Sequence, residues 1–188
     1  MCIIILFLII LLIYICIILK KKSICSYFDN DDDNDDNMDE ILPGLWLGNI
    51  KSAYNINKLK KNNIKYIFNI STEIPNFYEN DNYFKYYKFK VNDSLLDRDI
   101  NLMSENLSNL VKKLAEAINN KDGNVLVHCF AGRQRSAILV AAYLVYKYKM
   151  NPREAYDFIL KKRPEAFHYN MSINFNKSLN KYYNELNI

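Results

Sequence analysis

Residues 124–148, NVLVHCFAGRQRSAILVAAYLVYKY, set a short β-branched apolar run, a polar loop and a helix-length apolar run directly one after another. The first run, 124–129, has no polar face and reads as a strand buried on both sides, as in a parallel sheet. The last, Arg135 to Tyr148, starts out apolar on every side, so its helix belongs at the centre of the core. A buried strand feeding a buried helix needs covering layers on both sides, which points to an α/β fold.

The remaining pattern agrees. ILPGLWLGNI at 41–50 suggests a turn and a short strand, 52–62 a helix, and 65–71 and 86–91 two strands. From Met103 to Asn119, apolar residues recur at helical spacing, with Leu107, Leu110, Val111, Leu114 and Ile118 on one side. Asp122-Gly123 marks a turn, Pro152 and Pro164 bracket a further helix, and 172–186 closes the chain. In a chain of 188 residues this is material for one core.

The N-terminus is of a different character. Residues 2–19 carry no charge and no helix breaker, enough for roughly 27 Å of helix at ~1.5 Å per residue. Residues 1–22 are therefore expected to form a single-pass membrane anchor. Lys20, Lys21 and Lys22 would hold the C-terminal side, with the catalytic domain, in the cytosol. Residues 23–40 contain DNDDDNDDNMDE, read as an acidic disordered spacer because an EF-hand would need Gly at its sixth position and flanking helices. Residues 41–188 hold 22 basic and 13 acidic residues, a net +9, which suits an acidic partner. Of four cysteines, three lie in or beside the apolar run and Cys129 stands alone, which excludes a disulfide framework and favours a reducing compartment.

The loop between strand and helix carries the chemistry. A helix N-terminus presents free backbone N–H groups and the positive end of the helix dipole, a ready anion site. A cysteine at its edge is expected as the thiolate, the nucleophilic form. Arg135, in the first turn of the helix, can hold two phosphate oxygens with its planar fork, and Gly132 permits the tight backbone. Two of the chain's five arginines, Arg133 and Arg135, fall in this loop. It is not a nucleotide-binding loop, since the closing Gly-Lys-Ser/Thr is missing.

HCFAGRQRS, residues 128–136, resembles the HCxxGxxR(S/T) signature of cysteine-dependent protein tyrosine phosphatases, and the surrounding 41–186 resembles the dual-specificity branch. LPGLWLGN, VND at 91–93, KRPEAF and the later Asn170, Phe175 and Leu179 add to the likeness. The resemblance implies the phosphotyrosine phosphatase-like fold, a central mixed, mostly parallel sheet flanked by helices. It also implies phosphoryl transfer through phosphocysteine with no cofactor and no metal. Carried over, Cys129 is the nucleophile, Arg135 the phosphate clamp, and Ser136 the hydroxyl that stabilises the leaving thiolate. His128 orients the Cys129 backbone. The loop residues Phe130, Ala131, Gly132, Arg133, Gln134 and Arg135 bind the phosphate.

The leaving oxygen needs a proton, hence a carboxylic acid beside the loop. Asp93 occupies the family's position and is preferred for its placement at a strand end, with Asp97 and Asp99 as competitors. The expected substrate is phosphorylated protein, on tyrosine and on serine or threonine. The alternative is an anionic phospholipid, phosphatidylglycerophosphate or a phosphoinositide. HCFAGRQRSA with AAYL also resembles the mitochondrial phosphatidylglycerophosphatase branch, and Gln134 departs from the Ser usual in dual-specificity members. A non-catalytic phosphate-binding module and an RNA 5′-triphosphatase are further readings. No nucleic-acid partner is expected, and sequence leaves the oligomeric state unassigned.

Overall fold

The computed structural model describes residues 6, 7, 9–15, 37–94, 96–167 and 173–186. It divides into two units, 1–36 and 37–188.

In the first unit the described helical residues fall between 6 and 15. No helix among the described residues is long and apolar enough to cross a membrane. This overturns the expected transmembrane helix at 1–22, and with it the single-pass membrane location and the cytosol-facing topology inferred from the lysines. The uncharged run suggests one continuous helix, whereas the described helical part is short. The rest of that span, and the 23–36 part of the expected spacer, lie outside the described residues.

The second unit is a five-stranded mixed sheet with helices on both faces. Its strands are β1 (Met38–Leu42), β2 (Leu45–Gly48), β3 (Ile64–Asn69), β4 (Lys85–Lys88) and β5 (Asn124–His128), in the order β1-β2-β5-β3-β4. β1 runs antiparallel to β2, and the other three pairings are parallel. β1 begins at Met38, so residues 38–40, assigned to the spacer from their acidity, are strand residues. Met38 and Ile41 are buried, which explains why an acidic stretch pairs: its apolar positions reach the core.

The helices are α1 (Ile50–Tyr54), α2 (Ile56–Lys61), α3 (Asp97–Asn119), α4 (Arg135–Tyr148), α5 (Pro152–Lys162) and α6 (Ile173–Glu185). The single helix expected over 52–62 is two, because Asn49 and Asn55 each cap a new start, their side chains accepting from Ser52 N and Lys58 N. The strand expected over 86–91 ends at Lys88. α3 starts at Asp97, six residues before its apolar periodicity begins, so Asp97 and Asp99 lie in a helical first turn and not in a loop. Acidic residues suit that end of the helix dipole.

β5 lies in the middle of the sheet, and its side chains alternate between two cores. Val125 and Val127 join the larger cluster with α3–α6, while Leu126 joins Ile64, Ile67, Leu59 and Ala53 on the face of α1 and α2. α4 is buried from Arg135 through Val145. The sheet's carboxyl edge is in register: Gly48 and Asn69 both pair His128, and Asn69 pairs Lys88. Side chains and loops following those residues share one rim, where open parallel sheets bind ligands.

A chain starting at Asn37 is expected to unfold in one cooperative urea transition. One starting at Leu42 loses the buried Met38 and Ile41 side chains, which should cost about 3 kcal/mol or more. Equal midpoints for the two would show that β1 is not part of the folded unit.

Candidate functional site

The loop from Cys129 to Gln134 joins β5 to α4, and its shape follows from where its carbonyls are tied. Phe130 O accepts from Ile50 N at 3.0 Å, and Arg133 O from Phe167 N at 2.8 Å. Gly132 O accepts from Arg163 Nε at 3.1 Å. In a trans peptide the N–H points opposite to the preceding carbonyl. Carbonyls held outward at 130, 132 and 133 therefore turn the N–H groups of Ala131, Arg133 and Gln134 toward the inside of the loop. Together with the N-terminus of α4 they form a concave, electropositive seat for an anion.

Gly132 is required twice over. Its φ is +67°, and a Cβ there would lie 2.5 Å from Gly48 O. The end of β2 thus presses against the loop from outside.

Cys129, at the start of the loop, is buried and unpaired in any disulfide. Ser136 Oγ donates to Cys129 Sγ at 3.2 Å. His128 is buried at the end of β5, and burial pushes its imidazole down to about 3 against the opposing effect of a hydrogen bond with the Cys129 backbone. It is therefore a neutral ring near neutral pH, and its link to position 129 is through the backbone.

Arg135 is 1% exposed. Its Nη1 and Nη2 donate to the two carboxylate oxygens of Glu73 at 2.9 and 2.7 Å, and Nη1 also donates to Val91 O at 3.2 Å. Burial works against the charged guanidinium, but Glu73, Cys129 and Asp93 together outweigh it and the group is raised above its ordinary value. Burial likewise works to raise the Glu73 carboxyl, and its hydrogen bonds to Arg135 leave it below the ordinary value. Arg135 Nε and Arg133 Nε are buried without a hydrogen-bond partner. A buried donor left without a partner is costly, and an oxyanion seated in the loop would supply one.

Glu73 has no signature in sequence. The segment carrying it is fixed by a buried amide: Asn69 Nδ2 donates to Ile74 O at 3.0 Å and Asn76 Oδ1 at 3.1 Å, while Ser71 Oγ donates to Asn69 Oδ1 at 2.6 Å. The one available signal is a polar Asn closing the apolar Tyr66–Phe68 run of the strand. Lys88 Nζ donates to the same Ile74 O, and burial pushes the amine down to about 8.

The three aspartates separate. Asp93 is 48% exposed, with Oδ2 at 3.5 Å from Arg135 Nε. Asp99 is buried, accepts from Asn92 Nδ2 at 3.1 Å and from Ser94 Oγ, and is held below the ordinary carboxyl value chiefly by Ser94. It braces the 92–94 turn that presents Asp93. Asp97 is exposed at the start of α3.

The buried neutral His128 makes stability depend on pH. Because its folded value lies below the unfolded one, the unfolded chain takes up a proton that the folded chain refuses, so stability falls as pH drops from about 6.5 toward 3. Going from about pH 7.5 to about 5.5 should cost roughly 1 kcal/mol, above the range where carboxylates titrate. Urea midpoints at the two pH values read this, and the loss should shrink in His128→Gln. The same pH loss in both proteins would mean the imidazole is not buried neutral.

Residues 45–185 match the family model for the dual specificity phosphatase catalytic domain. The chain is 36% identical over 140 residues to human dual specificity protein phosphatase 6, covering 73% of this chain and 33% of that protein. It is 37% identical over 141 residues to human dual specificity protein phosphatase 7, covering 73% and 30%. The matches thus take in about a third of each relative's length. Among solved structures, human DUSP28 superposes with a TM-score of 0.70 over 81% of this chain and 96% of its own, at 22% identity, a likeness of fold. With the family match spanning most of the chain, this protein belongs to the dual specificity phosphatases of the cysteine-dependent tyrosine phosphatase superfamily.

Proposed function

We propose that the domain hydrolyses phosphate monoesters on phosphotyrosine and on phosphoserine or phosphothreonine of proteins, through a phosphocysteine intermediate. The observation that carries this reading is the anion seat itself: outward-tied carbonyls, a buried Arg135 held by Glu73, and Cys129 at the start of the loop with Ser136 on its sulfur.

The N–H groups of the 130–134 loop and Arg135 bind the phosphoryl oxygens, replacing water with fixed dipoles. Cys129 sulfur attacks phosphorus as the P–O bond to the substrate breaks, and Asp93 gives its proton to the departing oxygen. Water then attacks the phosphocysteine with Asp93 taking its proton. The sulfur leaves as thiolate, steadied by the Ser136 hydroxyl. No metal or cofactor has a part in these steps. His128 contributes by holding the backbone at 129.

Support for a protein substrate comes from relatives that are themselves named protein phosphatases. The phospholipid alternative drew on a membrane anchor that the described residues do not support. A pure binding module would need neither the Ser136 contact to sulfur nor Asp93 at the rim.

Cys129→Ser should abolish turnover of an aryl phosphate. Asp93→Ala should lower kcat by ~10²–10⁴ on a phosphoserine peptide and by much less on an aryl phosphate whose leaving group departs without a proton. Substrate binding should persist in that variant. Asp97→Ala should change kcat by less than about threefold, as for a surface charge. A large leaving-group-dependent loss in Asp97→Ala with none in Asp93→Ala would move the acid to position 97.

A further inference from the structure

A second arginine, Arg163, is as deeply buried as Arg135, at 1% exposure, yet lies on the outer side of the loop. It follows α5, and its guanidinium reaches three acceptors. Nε donates to Gly132 O at 3.1 Å, Nη1 to Asp39 of β1, and Nη2 to Glu165 at 3.4 Å. The same turn supplies Phe167 N to Arg133 O, and Phe167 takes a left-handed φ of +56° to do so. The stretch 163–167 therefore grips two consecutive loop carbonyls. These are the two whose orientation aims the Arg133 and Gln134 amides inward.

A buried guanidinium placed only for packing would be poorly chosen, since burying a charge is costly without a paired carboxylate. Asp39 supplies that pairing. It comes from the acidic run whose composition suggested only a solvated spacer, and it lies opposite Leu47 in the β1–β2 ladder. The link thus runs from the first strand, through Arg163, to the carbonyl of the glycine on which the loop turns.

We propose that Arg163, anchored by Asp39, is a positioning residue that holds the anion loop in its binding shape. The proposal rests on the phosphatase reading, because the shape matters only if the loop binds phosphoryl oxygens. Without the Arg163 donor, the Gly132–Arg133 peptide is free to rotate, and an inward carbonyl would repel an anion where an amide should bind it.

The test compares wild type, Arg163→Met, Asp39→Asn and, as a control, Asp93→Ala. Each is assayed at a temperature where circular dichroism shows it folded, for the Kd of orthovanadate and for KM and kcat on an aryl phosphate. Arg163→Met should weaken vanadate binding by about tenfold or more and raise KM in parallel, as loss of a charge-assisted hydrogen bond predicts. Asp39→Asn should weaken binding by about threefold or more, and it carries the test if Arg163→Met does not fold. Asp93→Ala should leave the vanadate Kd within about twofold, its loss in kcat being large only for substrates whose leaving group needs a proton. A folded Arg163→Met or Asp39→Asn that binds vanadate as wild type does would overturn the proposal, because a role in stability alone would lower the melting temperature without moving Kd. Wild type failing to bind vanadate or to turn over would instead overturn the phosphatase reading.

Discussion

The site depends on a single constraint, the outward tethering of the loop carbonyls between Cys129 and Arg135. Peptide amides are the cheapest source of positive potential in a protein, but they serve an anion only if several converge, and an untethered loop has no reason to keep them so. Here the tethers come from three places: Ile50 at the start of α1, Arg163 after α5, and Phe167 beyond it. Gly132 lets the backbone turn among them, with β2 pressed against the position where a side chain would be. The sheet therefore does more than carry the cysteine. By setting β2 beside β5, it brings the chain segment at 48–50 against the loop that β5 delivers.

The electrostatics follow the same division. Two guanidinium groups are buried around one short loop, each with its own carboxylate: Arg135 with Glu73 inside, Arg163 with Asp39 outside. In each pair the carboxylate offsets part of the cost of holding a guanidinium away from water. The inner pair leaves Arg135 Nε without a hydrogen-bond partner, ion-paired at 3.5 Å with a partly exposed Asp93, so the positive charge is fixed in place while a donor remains for a ligand. His128, neutral and buried at the strand end, adds no charge of its own to the seat.

Much of this was legible in the residues, and the boundary between what was and was not is a physical one. The strand, loop and central helix over 124–148 could be read because each is a local pattern, and the loop's Cys129, Gly132, Arg135 and Ser136 lie within eight consecutive positions. Glu73 and Asp39 could not, because each meets its arginine across 62 or 124 residues of chain, a separation that no periodicity reports. Composition misled at both ends of the N-terminal region. An acidic run concealed a strand whose Met38 and Ile41 are buried, one in each of the two cores, and an uncharged run suggested a spanning helix that the described residues do not form. The start of α3 is hidden for a related reason: its first turn is polar except for Ile100, so hydrophobic spacing begins inside the helix and not at its cap.

The central claim is that Cys129 sulfur becomes covalently phosphorylated during turnover. Acid quenching during the first turnover of a phosphorylated substrate, followed by peptide mass mapping, tests it most directly. The account predicts a phosphoryl group on the peptide containing Cys129, appearing before free phosphate and absent from Cys129→Ser. Release of phosphate at the full rate with no adduct on that peptide, or turnover surviving in Cys129→Ser, would contradict it.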